Sequence, residues 1–242
     1  MLNILHEDAD LLALNKPAGL VCHPTKGDAY SSLIGRVRLY LGAGATAHLI
    51  NRIDRETSGV VVAAKNAAAA GELGKLWEAR EVRKEYLAII HGELQPPRGT
   101  IDLPLGKDET SEVAIKDCVR PDGARAQTDY AVERHFQRGG HAFTLVRLWP
   151  KTGRKHQLRI HLAAVGHPIV GDKLYGADRD AYLAFVKDRL TEEQRAALML
   201  ENHALHAASL CLTWRGAPLR FAAPSDAAFQ QFANPECATL ER

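Results

Sequence analysis

Short apolar runs of strand type alternate along this chain with stretches of helical period, and no long Gly/Ser/Pro linker separates them. Residues 11–15, Leu-Leu-Ala-Leu-Asn, read as a short buried strand. Lys16-Pro17-Ala18-Gly19 stops it, with both chain punctuators together. Residues 59–64, Gly-Val-Val-Val-Ala-Ala, are short and β-branched, which predicts a core strand. Residues 84–91 and 141–148 also read as strands, the second alternating Phe143, Leu145 and Arg147 against Thr144, Val146 and Leu148. Leu33, Val37 and Leu41 share one face of a helix over 32–41, and the alanine-rich stretch 67–80 is helical. From Lys155 the period again becomes helical, aligning Leu158, Leu162 and Val165 until Gly166 and His167-Pro168 stop it. Thr191-Glu192-Glu193-Gln194 has the spacing of a capping box. No repeat recurs at a period of roughly 20–50 residues. The pattern predicts one α/β or α+β domain over residues 1–242, with Pro96-Pro97-Arg98-Gly99 an internal loop rather than a boundary.

Composition narrows the class without naming a chemistry. Hydrophobic residues are 46% and charged residues 25% of the 242, enough apolar surface to offset ordering entropy, which excludes a disordered chain. Cys22, Cys118, Cys211 and Cys237 are scattered, unlike the close pairs of zinc sites or the density of disulfide scaffolds, and read as reduced thiols. The N-terminal residues are acidic and their apolar run is too short for a signal peptide. No window reaches the ~20 apolar residues of a membrane helix. A cytoplasmic protein that engages no membrane is expected.

The formal charge of +2 hides an uneven distribution. Residues 147–173 hold Arg147, Lys151, Arg154, Lys155, Arg159 and Lys173 against Asp172 alone. Such a cluster suits a polyanion, since each neutralised phosphate releases counterions. From charge alone, a solvated basic face accounts for it equally well.

Several motifs fail on context. Gly42-Ala43-Gly44-Ala45-Thr46-Ala47 follows a helix rather than a strand, so it is a loop and not a dinucleotide fingerprint. Gly171 and Gly176 have the spacing of a phosphate-binding loop, but Ala177 stands where that loop needs Lys. His156 and His161, and His203 and His206, lack a third ligand at a recognisable spacing, so no metal site is assigned. Two segments carry chemistry instead. Asn51-Arg52-Ile53-Asp54-Arg55-Glu56-Thr57-Ser58-Gly59 sets Asp54 between two arginines, which would keep a carboxylate ionised as nucleophile or base. Lys151-Thr152-Gly153-Arg154-Lys155-His156-Gln157-Leu158-Arg159 packs cations onto a tight turn and the start of a helix, where amide donors already favour phosphate.

The first segment resembles the signature of the RluA-type pseudouridine synthases, usually H-R-L-D-x-x-T-S-G. The resemblance extends to Asn15-Lys16-Pro17-Ala18-Gly19-Leu20-Val21 with His23-Pro24, and to Arg83-Lys84-Glu85-Tyr86-Leu87-Ala88 with His91-Gly92. It continues through residues 152–161, 166–172 and 203–207, so that it spans about residues 11–210 in order. It departs at Asn51, where His is usual, and at Glu56, where Asp is common. Asn still offers a donor and an acceptor, and Glu keeps the charge.

What this resemblance implies is an RNA uridine isomerase on a mixed, largely antiparallel sheet flanked by helices, working without cofactor or metal. Asp54 would be the essential carboxylate, attacking C1′ to form an ester or removing the C2′ proton to give a glycal. Tyr86 would remove the C5 proton or stack on the uracil. Arg159 would pair with Asp54 and aim it. Arg52, Arg55, Lys151, Arg154 and Lys155 are the candidates for gripping phosphates while the base is flipped out. The expected partner is a stem-loop of ribosomal or transfer RNA, read without an N-terminal S4 module, and a monomer is the simpler expectation. Two rivals stand beside it. A non-catalytic RNA-binding or ribosome-assembly module would be indifferent to Asp54, Tyr86 and Arg159. A glycoside hydrolase would use Asp54 and Glu56, but these lie two apart in one loop and aromatics are only 6%.

Overall fold

The apolar runs form strands because their side chains alternate between two faces that both need cover. The computed structural model describes residues 2–24, 29–42, 44–176, 178 and 180–234; Ala43, Ala177 and Cys237, named above, lie outside these. In chain order the elements are β1 (Ile4–Glu7), β2 (Leu11–Lys16), α1 (Leu33–Leu41), β3 (His48–Leu49), β4 (Ser58–Ala64), α2 (Ala67–Glu78), β5 (Arg83–His91), β6 (Arg98–Asp102), β7 (Leu105–Lys107), β8 (Asp117–Val119), β9 (Gln127–Arg138), β10 (His141–Pro150), α3 (Gln157–Ala164), α4 (Ala181–Val186), α5 (Glu192–Leu198), β11 (Leu205–Trp214), β12 (Ala217–Ala222) and α6 (Ala227–Ala233). They divide between two compact units, Met1–Tyr86 with His206–Asp226, and Leu87–Leu205 with Ala227–Arg242.

In the first unit the strand order is β1-β2-β4-β11, with β12 on β11 and β3 on β4. Pairing is antiparallel except for the short parallel contact of β4 with β11. Every residue of β4 is buried, and its parity sorts it into two cores. Val60, Val62 and Ala64 pack with Leu11, Ala69 and Leu73 under α2. Val61 and Ala63 pack with Leu12, Leu14, Leu33 and Val37 under α1. Each fully buried Val or Leu contributes on the order of 1.5–3 kcal/mol. Both helices start at side-chain caps: Ser32 Oγ accepts from Gly35 N at 3.2 Å, and Asn66 Oδ1 from Ala69 N at 2.9 Å.

In the second unit β10 pairs antiparallel with β9, and β9 with β6. α5 carries the expected capping box at Thr191 and Gln194. Two details differ from the sequence reading. Arg98 and Gly99, read as loop, open β6. The helix expected from Lys155 begins at Gln157, whose Oε1 takes the Thr152 hydroxyl at 2.7 Å and Arg154 N at 3.0 Å and so closes a turn first. The fold is thus mixed α/β, with a largely antiparallel sheet flanked by helices.

Candidate active site

Asp54 lies half-buried on the loop from β3 to β4, and its backbone is fixed at both ends. Upstream, Asn51 continues the ladder with its side chain: Nδ2 donates to Val60 O at 3.1 Å and Oδ1 accepts from Val62 N at 2.8 Å. The donor and acceptor expected of Asn51 are therefore both used, on the edge of β4. Downstream, Thr57 N donates to Asp54 O at 3.2 Å, closing a tight turn. Gly59 then has φ +112°, and a Cβ there would lie 2.2 Å from Ala207 O. Only glycine lets β4 meet β11 this closely. His206 fastens the same crossing. Its Nε2 donates to Ala223 O at 2.9 Å, which leaves Nδ1 to accept the Ser58 hydroxyl at 2.8 Å.

Beneath the loop, Lys16 is fully buried. Its Nζ donates to Pro17 O and Leu20 O at 2.8 Å and to Arg55 O at 3.0 Å. Burial pushes the ammonium down to about 8, while the Cys22 and Asp54 charges oppose that shift. In the sequence, Lys16 stands only as one member of the motif at residues 15–21, with no task of its own. Its task follows from a carbonyl 39 residues away, which no local pattern reveals. Cys22 pins the same loop, its Sγ donating to Ile53 O at 3.4 Å.

Tyr86, on β5, faces this group. Burial pushes its phenol well above the ordinary value, and the neighbouring Asp54 and Cys22 charges add to the shift. The phenol therefore retains its proton within range of the Asp54 charge. Desolvation pushes the His23 imidazole down, and the nearby Arg52 and Arg38 reinforce it. His23 and Arg38 thus gather with Arg52, though the sequence had singled out Arg52 alone. Exposed Arg55 donates from Nε to Gly19 O at 3.1 Å.

Arg159 belongs to the second unit, on α3, and is 7% exposed. There Asp172 grips it bidentately, Oδ2 accepting from Nε at 2.7 Å and Oδ1 from Nη2 at 2.9 Å. The basic turn precedes it. Lys151 pairs with Asp129 at 2.8 Å, Lys155 with Asp117 at 2.9 Å, and Arg154 Nε donates to Arg125 O at 3.1 Å. All three remain exposed, so these ion pairs are weak and exchange readily for phosphate.

Comparison with known proteins points the same way. The profile of a family described as RNA pseudouridylate synthase matches residues 10–164. Ribosomal large subunit pseudouridine synthase D of Yersinia pestis is 36% identical over 178 residues, 72% of this chain and 53% of that protein. Dual-specificity RNA pseudouridine synthase RluA of Yersinia pestis is 36% identical over 221 residues, 90% of this chain and 96% of that protein. The chain spans 53 to 64% of the length of two synthase D relatives. Among solved structures, human RNA Pseudouridylate Synthase Domain Containing 1 aligns with a TM-score of 0.75 and 28% identity over 99% of this chain and 96% of that one.

Proposed function

Because the chain belongs to the RNA pseudouridylate synthase family, we propose that it isomerises uridine in structured RNA, ribosomal or transfer, to pseudouridine, working as one catalytic domain in the cytoplasm. The observation that carries this reading is the setting of Asp54, on a turn whose neighbours are tied down by Lys16, Asn51 and Cys22, with Tyr86 beside it.

The N-glycosidic bond breaks and the uracil turns while held. C5 then joins C1′ as Asp54 is released from its ester or returns the C2′ proton, and the C5 proton finally leaves to solvent while N1 takes one up. Asp54 starts this either by attacking C1′ or by taking the C2′ proton, and both routes need an ionised carboxylate in a fixed direction. Arg159 is the basic residue that the family resemblance assigns to the reaction. Tyr86 keeps its proton, so it serves as a stacking face and a hydroxyl donor on the turning base. Proton removal from C5 through Tyr86 would first require the phenol to lose a proton that its surroundings hold tightly. Flipping the uridine costs a few kcal/mol of stacking. Arg52, Arg55, Lys151, Arg154 and Lys155 offset this by holding the neighbouring phosphates.

The test is a carbodiimide-stop map of pseudouridine in RNA from cells with and without the gene, complemented by wild type or by Asp54→Asn. A site lost on deletion, restored by wild type and not by Asp54→Asn, is expected. Restoration by the variant would remove Asp54 from the chemistry. No changed site in any RNA would favour the non-catalytic binding module.

A further inference from the structure

The glycine pair at Gly171 and Gly176, which is not a phosphate loop, has a different use in the fold. Gly171 has φ +79°, and a Cβ on it would lie 2.8 Å from Asn202 O. A Cβ on Gly176 would lie 2.3 Å from Asp172 O. Both positions therefore need glycine, and the turn between them presents one carboxylate. Leu174 N and Tyr175 N each donate to Asp172 Oδ1 at 2.9 Å, and Asp172 is 2% exposed. The carboxylate points at Arg159, filling the edge formed by Nε and Nη2. Burial alone would raise its pKa, but the Arg159 charge and hydrogen bonds hold it well below the usual carboxylate range.

The same turn delivers a second constraint. The Tyr175 ring lies under the guanidinium, 5.0 Å from ring centroid to Cζ. Its hydroxyl accepts from Asp117 N of β8 at 3.2 Å and lies 2.9 Å from His156 Nδ1. His156 adopts φ +53° at the head of α3, a strained backbone for a non-glycine residue. The carboxylate thus fixes the guanidinium in its plane, and the ring fixes the tilt of that plane. Stability is a poor account of this arrangement, because apolar residues of similar volume usually replace a buried ion pair at no loss. A planar fork held along one edge and one face, however, has a single direction left for its remaining donors.

We propose that Asp172 and Tyr175 are positioning residues that hold Arg159 in the orientation it uses during the isomerisation. This rests on the reading that Arg159 serves that reaction. Asp172 and Tyr175 touch no reacting atom; they act through Arg159.

The test compares full-length wild type, Arg159→Ala, Asp172→Asn, the Arg159→Ala/Asp172→Asn double variant, Tyr175→Phe and Tyr175→Leu. The substrates are transcribed large-subunit ribosomal RNA and tRNA, scored at the carbodiimide stop made by the wild type. Asp172→Asn is expected to lower kcat by about 10- to 100-fold, the range for a misplaced catalytic group, with KM for RNA little changed. The double variant is expected to be no slower than Arg159→Ala alone, because residues acting through one another are not additive. Tyr175→Leu should lower kcat, while Tyr175→Phe, which keeps the ring, should retain most of it. Multiplying losses in the double variant would overturn the proposal, since Asp172 would then act independently of Arg159. Wild-type kcat in both Asp172→Asn and Tyr175→Leu would also overturn it. Wild-type kcat in Arg159→Ala would sink the underlying reading, a result distinct from either. If Asp172→Asn fails to fold, the Tyr175 pair decides alone: equal losses in Phe and Leu would refute the ring's role.

Discussion

The Lys16 ammonium meets three backbone carbonyls and no solvent, so it holds main chain rather than substrate. Lys16→Met fits the volume but strands those acceptors. At about 1 kcal/mol each, the low end for an unsatisfied buried group, the loss is about 3 kcal/mol. For a chain of this size that lowers Tm by about 6–12 °C, measurable by calorimetry, and an unchanged Tm would refute the clamp. His206 gives a second check, through pH. Burial lowers its folded pKa, with Ala223 and Asp226 opposing. The unfolded chain therefore binds the proton more readily, so stability rises with pH and levels off above the ordinary histidine value of about 6.5. Falling pH removes it, because only the unfolded form takes up the proton. His206→Gln should flatten denaturant-derived stability between about pH 5 and 7, by up to about 1.4 kcal/mol per pH unit; an unchanged slope would refute the assignment. At this scale the chemistry was legible where one segment carries it: Asp54 and Tyr86 stand in local motifs. The roles of Lys16, His206 and Asp172 were not, because their partners lie far along the chain.

Gly59 shows how one element boundary sets the site. Gly59→Ala places a methyl 2.2 Å from a backbone oxygen at a φ that L-residues rarely adopt, so β4 and β11 must separate. The strain and displacement together cost about 3 kcal/mol or more. Because Asp54 sits a short turn upstream on the same loop, activity should fall with stability; a folded and fully active Gly59→Ala would show that the crossing does not position the loop. β2 and β4 were readable because they are buried on both faces and hence continuously apolar. β9 was missed for the opposite reason: from Glu133 to Arg138 it is mostly exposed and polar, which resembles loop composition. α3 misled differently. Its leucine spacing suggests one apolar face, yet Gln157, Arg159 and His161 are buried as well. Hydrogen bonds with Thr152, Thr128 and Asp172 make that burial tolerable, and such partners are invisible to periodicity.

Across the whole molecule, a net charge of only +2 provides little long-range pull on a polyanion. RNA affinity must then come from local clusters, and its salt dependence counts them. Lys151 and Lys155 carry their own acidic partners, Asp129 and Asp117, so each phosphate contact is an exchange of ion pairs and adds little net energy. Its counterion signature persists, because the displaced cations on the RNA are still released. Replacing Lys151, Arg154 and Lys155 by Gln should flatten the plot of log affinity against log salt by about 2 to 3, at roughly 0.7–0.9 for each phosphate no longer neutralised. The rate at saturating RNA should hold, since the three are assigned to holding phosphates and not to the reacting atoms. An unchanged slope with weakened binding would mean that the turn acts by shape, and that the phosphate grip lies with Arg52, Arg38 and His23 beside Asp54. A flattened slope with a lost rate would instead tie the basic turn to the chemistry, through the Lys155–Asp117 pair and the Tyr175 hydroxyl that shares the Asp117 backbone.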